Sequence, residues 1–124
     1  MHIIKNNLQI KRIYEPPTTN DGLRVLIDRL WPRGIAKEKA KVDLWLKEIA
    51  PSPELRKWFS HNPERFSQFR EHYLKELQED PVHKEQVEIL QQKMTERPVT
   101  LLYAAKDCVH NHAVILYEFL IDKK

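Results

Sequence analysis

Two short stretches of this chain concentrate side chains that can bind an anion or transfer a proton. Together they contain Asp28, Arg29, Trp31, Arg33, Lys106, Asp107 and Asn111. Guanidinium and ammonium groups bind phosphate or carboxylate oxygens strongly, and two neighbouring carboxylates can divide the roles of general acid and general base. We therefore predict one site that binds a small phosphorylated or otherwise anionic compound, with its hydrolysis or transfer as a further expectation.

The predicted anion ligands are Arg29, Arg33 and Lys106, with the amide of Asn111 beside them. Arginine is the better clamp for a planar or tetrahedral oxyanion because its guanidinium presents several donors in a fixed plane. A structural alternative stays open, in which an arginine pairs with a nearby aspartate and ties the chain together, since buried charges must be paired.

Proton transfer in this site is predicted to use Asp28 and Asp107 as the catalytic carboxylates. His61 and His110 are further candidates, because histidine titrates near neutral pH. The alternatives are structural: Asp28 orients an arginine, and Asp107 or Asn111 caps the last helix.

Other side chains can complete the same opening. Arg56 belongs to the helix that Ser52 begins, where a solvated surface position is its more ordinary role. Trp31 offers an aromatic wall for a base or a sugar, as do Tyr14 and Tyr103, although packing in the core is the usual role of such residues.

A metal site is not predicted. Cys108, His110 and His112 share one face only if their segment is extended, and the apolar run after His112 favours a helix, in which positions two apart diverge. No cofactor is identified by the sequence.

The elements that position these residues follow from hydrophobic patterning. Residues 23–30 and 99–103 are apolar runs typical of strands covered on both faces, and residues 8–14 alternate like a partly exposed strand. Helices are predicted between Val42 and Pro51, after Ser52, from Asn62 to about Glu79, from Pro81 to Pro98, and from Ala113 to Ile121.

The link between the two apolar strands is long and helical, which predicts that these strands are parallel neighbours. Their carboxyl ends, with the two polar stretches, should then lie side by side at the edge where ligands collect in open sheets. The predicted fold is α/β, a small layered domain with a short, mainly parallel three-stranded sheet flanked by helices, and residues 1–124 form one domain. Residues 15–22 leave the direction of the first strand open.

Composition narrows the class of protein. One cysteine among 124 residues excludes an internal disulfide, and neither a signal peptide nor an apolar span long enough for a membrane is predicted, so a cytoplasmic setting is expected. Residues 1–60 carry 12 Lys and Arg against 7 Asp and Glu. This basic half supports an alternative, a nucleic-acid-binding accessory protein that uses the arginines with Lys37, Lys39 and Lys41.

A third alternative is an interaction module, in which Trp45 or Trp58 is exposed and marks a partner surface. The oligomeric state is not predicted.

Three motifs resemble one known family. Residues 21–34 read Asp-Gly-Leu-Arg-Val-Leu-Ile-Asp-Arg-Leu-Trp-Pro-Arg-Gly, and similar motifs lie at 50–61 and 101–113. They resemble the YeaO-like branch of domain-of-unknown-function family 488, over nearly the whole chain. The resemblance implies a compact bacterial or archaeal α/β domain with a parallel first strand, and brings no established reaction, cofactor or catalytic residue. Cys108 is not part of the pattern.

Overall fold

The computed structural model describes residues 8–122; residues 1–7, in which no signal peptide is predicted, and 123–124 lie outside this range. The main elements are β1 (Leu8–Arg12), β2 (Leu23–Leu26), α1 (Lys37–Ala40), β3 (Leu44–Trp45), α2 (Pro53–Phe59), α3 (Phe66–Glu79), α4 (Pro81–Glu96), β4 (Val99–Tyr103) and α5 (His112–Asp122). Short 3-10 turns occupy Thr19–Asp21, Lys47–Ile49 and Pro63–Arg65.

The strands form a parallel sheet in the order β1-β4-β2-β3. Leu101 of β4 lies opposite Ile10 of β1 on one side and opposite Val25 of β2 on the other. The parallel pairing of the two apolar strands is therefore confirmed. The first strand is parallel as well, as the family resemblance implied.

The sheet has four strands, so the prediction of three is wrong. The fourth is β3, which lies in the segment between Val42 and Pro51 that was expected to be a helix. Leu44 and Trp45 pair with Val25 and Leu26, and the Leu46 amide continues the ladder to the Leu26 carbonyl. Helical spacing of apolar residues did not prevail here, because an eight-residue segment gains more from pairing with a buried strand than from two isolated turns.

Both faces of the sheet are covered. The larger core lies between the sheet and the helical layer, where Leu101, Tyr73 and Ile115 are fully buried. A smaller core around Leu26 and Leu102 lies on the other face, under the segment 31–45 that contains α1. Burial on both faces explains why the strands read as continuous apolar runs rather than as alternating ones.

The helices start where their caps predict. The side chains of Ser52, Asn62 and Asp80 accept hydrogen bonds from the backbone at the starts of α2, the 63–65 turn and α4, respectively. Each cap is followed by a proline, which suits the first turn of a helix. Within residues 8–122, no helix combines the length and apolar character that crossing a bilayer requires.

Candidate anion-binding site

A cavity of about 710 Å³ opens at the carboxyl edge of the sheet, where the chain leaves β2 and β4. We call it the strand-end cavity. It is lined by residues 28–33, 104–107 and 50–51 together with Arg56, His61 and His112. The two polar stretches therefore share one opening, because the parallel strands that precede them finish at the same edge.

Arg29 connects the segment after β2 to the segment before α2 through hydrogen bonds of its guanidinium. Its Nη2 donates to the carbonyl of Ala50 at 3.0 Å and to that of Pro51 at 3.3 Å, while Nη1 lies 3.4 Å from a carboxylate oxygen of Glu48. The partners of this guanidinium belong to the chain just before α2, and not to Asp28 or Asp107. Arg29 thus contributes charge to the cavity wall and fixes the wall in place.

Arg33, Lys106 and Arg56 are the exposed cations of the cavity. No group within residues 8–122 forms a hydrogen bond or an ion pair with any of their charged ends. Arg33 is held through its backbone instead, since its carbonyl accepts from the Tyr14 hydroxyl at 2.8 Å. A solvated surface position was the more ordinary role for Arg56, yet α2 brings it to this opening.

Asp28 lies at the inner wall with His112. One carboxylate oxygen accepts from the Ala104 amide at 3.1 Å, which joins the exits of β2 and β4. The other lies 3.4 Å from His112 Nε2, and His112 Nε2 donates to the Ile27 carbonyl at 3.0 Å. Burial lowers the pKa of His112 below its usual value, although the nearby Asp28 charge opposes the shift. His112 is therefore neutral at pH 7 and its Nε2–H goes to the Ile27 carbonyl, which leaves Asp28 Oδ1 buried without a hydrogen-bond partner among the described residues.

His112 is the site residue that its sequence position did not reveal. It was considered only as a metal ligand with Cys108 and His110. The available signal was its place at the start of the last helix, which follows the loop after β4 and brings it beside Asp28.

Asp107 uses both of its oxygens inside its own turn. Oδ1 accepts from the amides of Val109 and His110, each at 2.9 Å, and Oδ2 contacts His110 Nδ1 at 2.9 Å. The backbone hydrogen bonds from His110 and Val109, followed by the His110 ring, lower the pKa of Asp107 to about 2. An ionised carboxylate with these partners orders the 107–110 turn.

Asn111 is buried and does not line the strand-end cavity. Its Oδ1 accepts from the Val114 amide at 3.0 Å, and its Nδ2 donates to the Asp107 carbonyl at 2.7 Å. The side chain therefore caps α5, which is the structural alternative considered for it.

Of the three aromatic residues expected near the strand ends, only Trp31 lines the strand-end cavity. Its Nε1 donates to the Ile35 carbonyl at 2.8 Å, and its ring packs edge-on against Trp45 with 5.5 Å between centroids. Tyr103 is buried in the core. Trp45 is half-buried and donates to the Asp28 carbonyl at 2.7 Å, whereas Trp58 is 38% exposed on α2.

His61 reaches the cavity through an unusual turn. Ser60 and His61 have φ values of 49° and 57°, the left-handed region that residues with a β-carbon seldom adopt. This reversal after α2 places the exposed His61 side chain at the cavity wall, near Arg56 and His112. Such strain often accompanies functional positions.

Cys108 and His110 lie in the turn before α5, His112 is the first residue of α5, and the three side chains diverge. Cys108 is exposed, His110 packs on Phe66, and His112 turns inward to Ile27. Across the part of the chain that the structure describes, no three His, Cys, Asp or Glu side chains are grouped as metal ligands.

The fold and the site define a small α/β protein with a parallel sheet and a mainly cationic cavity at its carboxyl edge. Residues 7–124 match the family described as the inactive DUF488-N3 subclade, and the chain belongs to this family. The resemblance drawn from the three motifs is thereby confirmed.

Two relatives illustrate the similarity. The chain is 46% identical to "Uncharacterized protein YeaO" of Escherichia coli (strain K12) over 114 residues, which cover 92% of this chain and 96% of the relative. It is 38% identical to "Uncharacterized protein Rv3073c" of Mycobacterium tuberculosis (strain ATCC 25618 / H37Rv) over 117 residues, 94% of this chain and 95% of the relative. No solved structure matches the chain with significant similarity.

Proposed function

We propose that the strand-end cavity binds a small phosphorylated or otherwise anionic molecule. The observation that carries this proposal is the set of three exposed cations, Arg33, Arg56 and Lys106, whose charged ends have no partner within residues 8–122. The volume of the strand-end cavity, about 710 Å³, lies in the range of small-molecule sites. An anion in this space would receive charge-assisted hydrogen bonds, which are the stronger class.

The local charge balance supports the same ligand. Asp107 is occupied by its own turn, and Asp28 holds the Ala104 amide beside neutral His112. Asp107 therefore has partners for both of its oxygens within the wall, and Asp28 for one, while the second Asp28 oxygen is buried without a hydrogen-bond partner among the described residues. The three cations at the opening are therefore available to bind the negative charge of a ligand.

The proposal is one of binding, without the hydrolysis or transfer expected from the sequence. A division of general acid and general base roles between Asp28 and Asp107 would need both carboxylates to exchange a proton with the ligand. Both carboxylate oxygens of Asp107 are bound within the 107–110 turn. The family description, an inactive subclade, agrees with a binding role.

The test is a titration of the protein with inorganic phosphate and with ribose 5-phosphate, followed by backbone amide resonances in NMR spectra. Binding in the strand-end cavity shifts the amides of Ala105 and Lys106. Arg33→Gln and Lys106→Gln should each weaken binding about tenfold, equivalent to about 1.4 kcal/mol, because each removes one charge-assisted contact.

Lys84→Gln is the matched control, since it removes the same charge from an exposed position on α4. It should bind as the unchanged protein does. The proposal is wrong if neither compound shifts the Ala105 and Lys106 resonances, or if the Arg33 and Lys106 variants bind as tightly as the control.

The nucleic-acid alternative has weaker support. Lys37 lies over the Trp31 ring, with Nζ 6.0 Å from its centroid, close to the strand-end cavity. Lys39 and Lys41 line a different cavity at the other edge of the sheet, so the lysines do not join the arginines in one tract. Binding of a labelled single-stranded oligonucleotide should fall steeply with salt if this alternative holds. A flat response, or no binding at about 50 mM salt, excludes it.

A further inference from the structure

A second cavity, of about 750 Å³, lies at the amino edge of the sheet, opposite the strand-end cavity. We call it the Arg24 cavity. Its walls come from residues 17–19 before β2, from β2 itself, from α1, from Asp43 and from Arg97. Because all four strands are parallel, the starts of β2, β3 and β4 meet at this edge.

Arg24 forms the buried part of this cavity, with only 3% of the residue exposed. Its Nε donates to the Ala40 carbonyl at 3.0 Å, and its Nη1 pairs with Asp21. The third nitrogen, Nη2, is buried and has no hydrogen-bond partner among the described residues. Buried donors in native proteins nearly always have a partner, so this nitrogen needs either a water molecule or an atom of a ligand.

The nearby carboxylates do not supply that partner. Asp21 shares its oxygens among Arg24, Lys11 and Thr18, and Asp43 accepts from the Arg24 backbone amide at 2.9 Å. Both oxygens of Asp21 are thus occupied by the protein, and Asp43 uses one oxygen on the Arg24 backbone. Glu38 is the remaining acid of the cavity wall.

Three more cations surround the same space: Lys39, Lys41 and Arg97. All three are exposed, and within residues 8–122 nothing binds their charged ends. The cavity therefore combines a buried guanidinium, held by the Ala40 carbonyl and Asp21, with three exposed cations. A fixed donor backed by long-range attraction is how proteins select an oxyanion rather than merely concentrate one.

We propose that the Arg24 cavity is a second anion site, which binds the phosphoryl group of a ligand through Arg24 Nη2 with Lys39, Lys41 and Arg97. Four cationic side chains from three segments suit the three terminal oxygens of a phosphoryl group better than the two of a carboxylate. No aromatic side chain is among the residues that line the cavity, so recognition rests on the phosphoryl group and not on stacking with a base. The site is independent of the strand-end cavity, since none of its residues is shared.

The test is an NMR titration with sodium phosphate, with sodium chloride and sodium acetate at matched ionic strength as reference salts. Phosphate should shift the amides of Thr18, Thr19 and Lys41 in a saturable manner, and the reference salts should not. Arg24 is too deeply buried for a substitution there to separate binding from folding. Lys41→Gln and Arg97→Gln, both at exposed positions, should instead weaken the phosphate response of these amides at least fivefold.

Lys106→Gln and Lys84→Gln are the controls, and both should leave the Thr18, Thr19 and Lys41 response unchanged. The Ala105 and Lys106 amides report the strand-end cavity separately, so either site can fail while the other stands. The proposal is overturned if these amides respond equally to phosphate and chloride, which would mean that water alone satisfies Nη2. It is also overturned if acetate binds as tightly as phosphate, or if the two variants bind like the controls.

Discussion

Arg29 and Arg33 lie four positions apart, and the structure gives their side chains different surroundings. Arg29 is largely covered and donates to the carbonyls of Ala50 and Pro51. Arg33 is exposed, and within the described residues its guanidinium has no partner. One arginine therefore builds the wall of the strand-end cavity, and the other is available at its opening.

Substitution of each arginine by leucine should separate these roles. Arg29→Leu should lower the free energy of unfolding by about 1–3 kcal/mol, because two carbonyls lose their donor in a part-buried place. Arg33→Leu should change it by less than about 0.5 kcal/mol, as exposed positions usually do. Urea unfolding measures both values. Equal losses in the two variants would contradict the assignment and make Arg33 a structural residue.

At the scale of the element, β2 begins against the residue that precedes β4. Gly22 has φ of 65°, and a β-carbon added there would lie 2.3 Å from the Pro98 carbonyl oxygen. That same oxygen accepts from the Leu23 amide at 2.8 Å, so it cannot move away without breaking the first bond between the strands. The start of β2 thus depends on the absence of a side chain.

Gly22→Ala should destabilise the protein by more than about 2 kcal/mol, because the clash adds to the cost of a left-handed backbone. Gly34→Ala is the matched control. Gly34 also has positive φ, of 81°, but an added β-carbon meets no atom within 4 Å. It should cost only about 1–2 kcal/mol, the backbone term alone. Thermal unfolding of both variants checks this, and a Gly34 variant as unstable as the Gly22 variant would contradict it.

Elements with strong local signals could be predicted, and those fixed by distant contacts could not. The spacing of Phe66, Phe69, Tyr73 and Leu77 predicted α3, because one buried helical face is a local property. Two residues of β3 have no comparable local signal, since their pairing with β2 decides their structure.

The candidate site divides in the same way. The meeting of the 28–33 and 104–107 stretches followed from the parallel topology. The partners of Arg29 could not be foreseen, because two of them are backbone carbonyls, and residue types do not reveal where a carbonyl points. The burial of Arg24 could not be predicted either. Nothing in the sequence around this charged residue indicates that Asp21 pairs with it.

For the whole molecule, both polar edges of the sheet contain groups whose pKa differs between the folded and unfolded chain. Burial alone raises the pKa of Asp21, but hydrogen bonds from Thr18, Lys11 and Arg24 outweigh it and lower the pKa from 3.8 to about 2. At the other edge, burial lowers the pKa of His112 from 6.5. The unfolded chain therefore binds more protons in both ranges, and stability must fall as the pH falls through them.

The free energy of unfolding should thus decrease in two steps, first below about pH 6.5 as His112 protonates in the unfolded chain, and again between about pH 4 and pH 2. Asp21→Asn should cost about 3–5 kcal/mol at pH 7, since it leaves Arg24 buried without a counter-charge. The loss of unfolding free energy between about pH 4 and pH 2 should be smaller in this variant. The loss that remains comes from Asp107 and Asp80, whose pKa values are also lowered.

Urea unfolding between pH 2 and pH 8 measures these steps, with Asp122→Asn at the exposed end of α5 as the control. His112→Gln should reduce the step below pH 6.5. A pH profile of Asp21→Asn parallel to that of the unchanged protein would contradict the role given to this carboxylate.

The short length of β3 affects whether a second molecule can pair with this edge of the sheet. A strand of two residues offers almost no template on which a second chain could add itself, and short edge strands are one way in which proteins avoid aggregation. The opposite border of the sheet, β1, is longer, but it carries Gln9 and Lys11, whose polar ends are engaged nearby. Growth into fibrils from either border is therefore disfavoured.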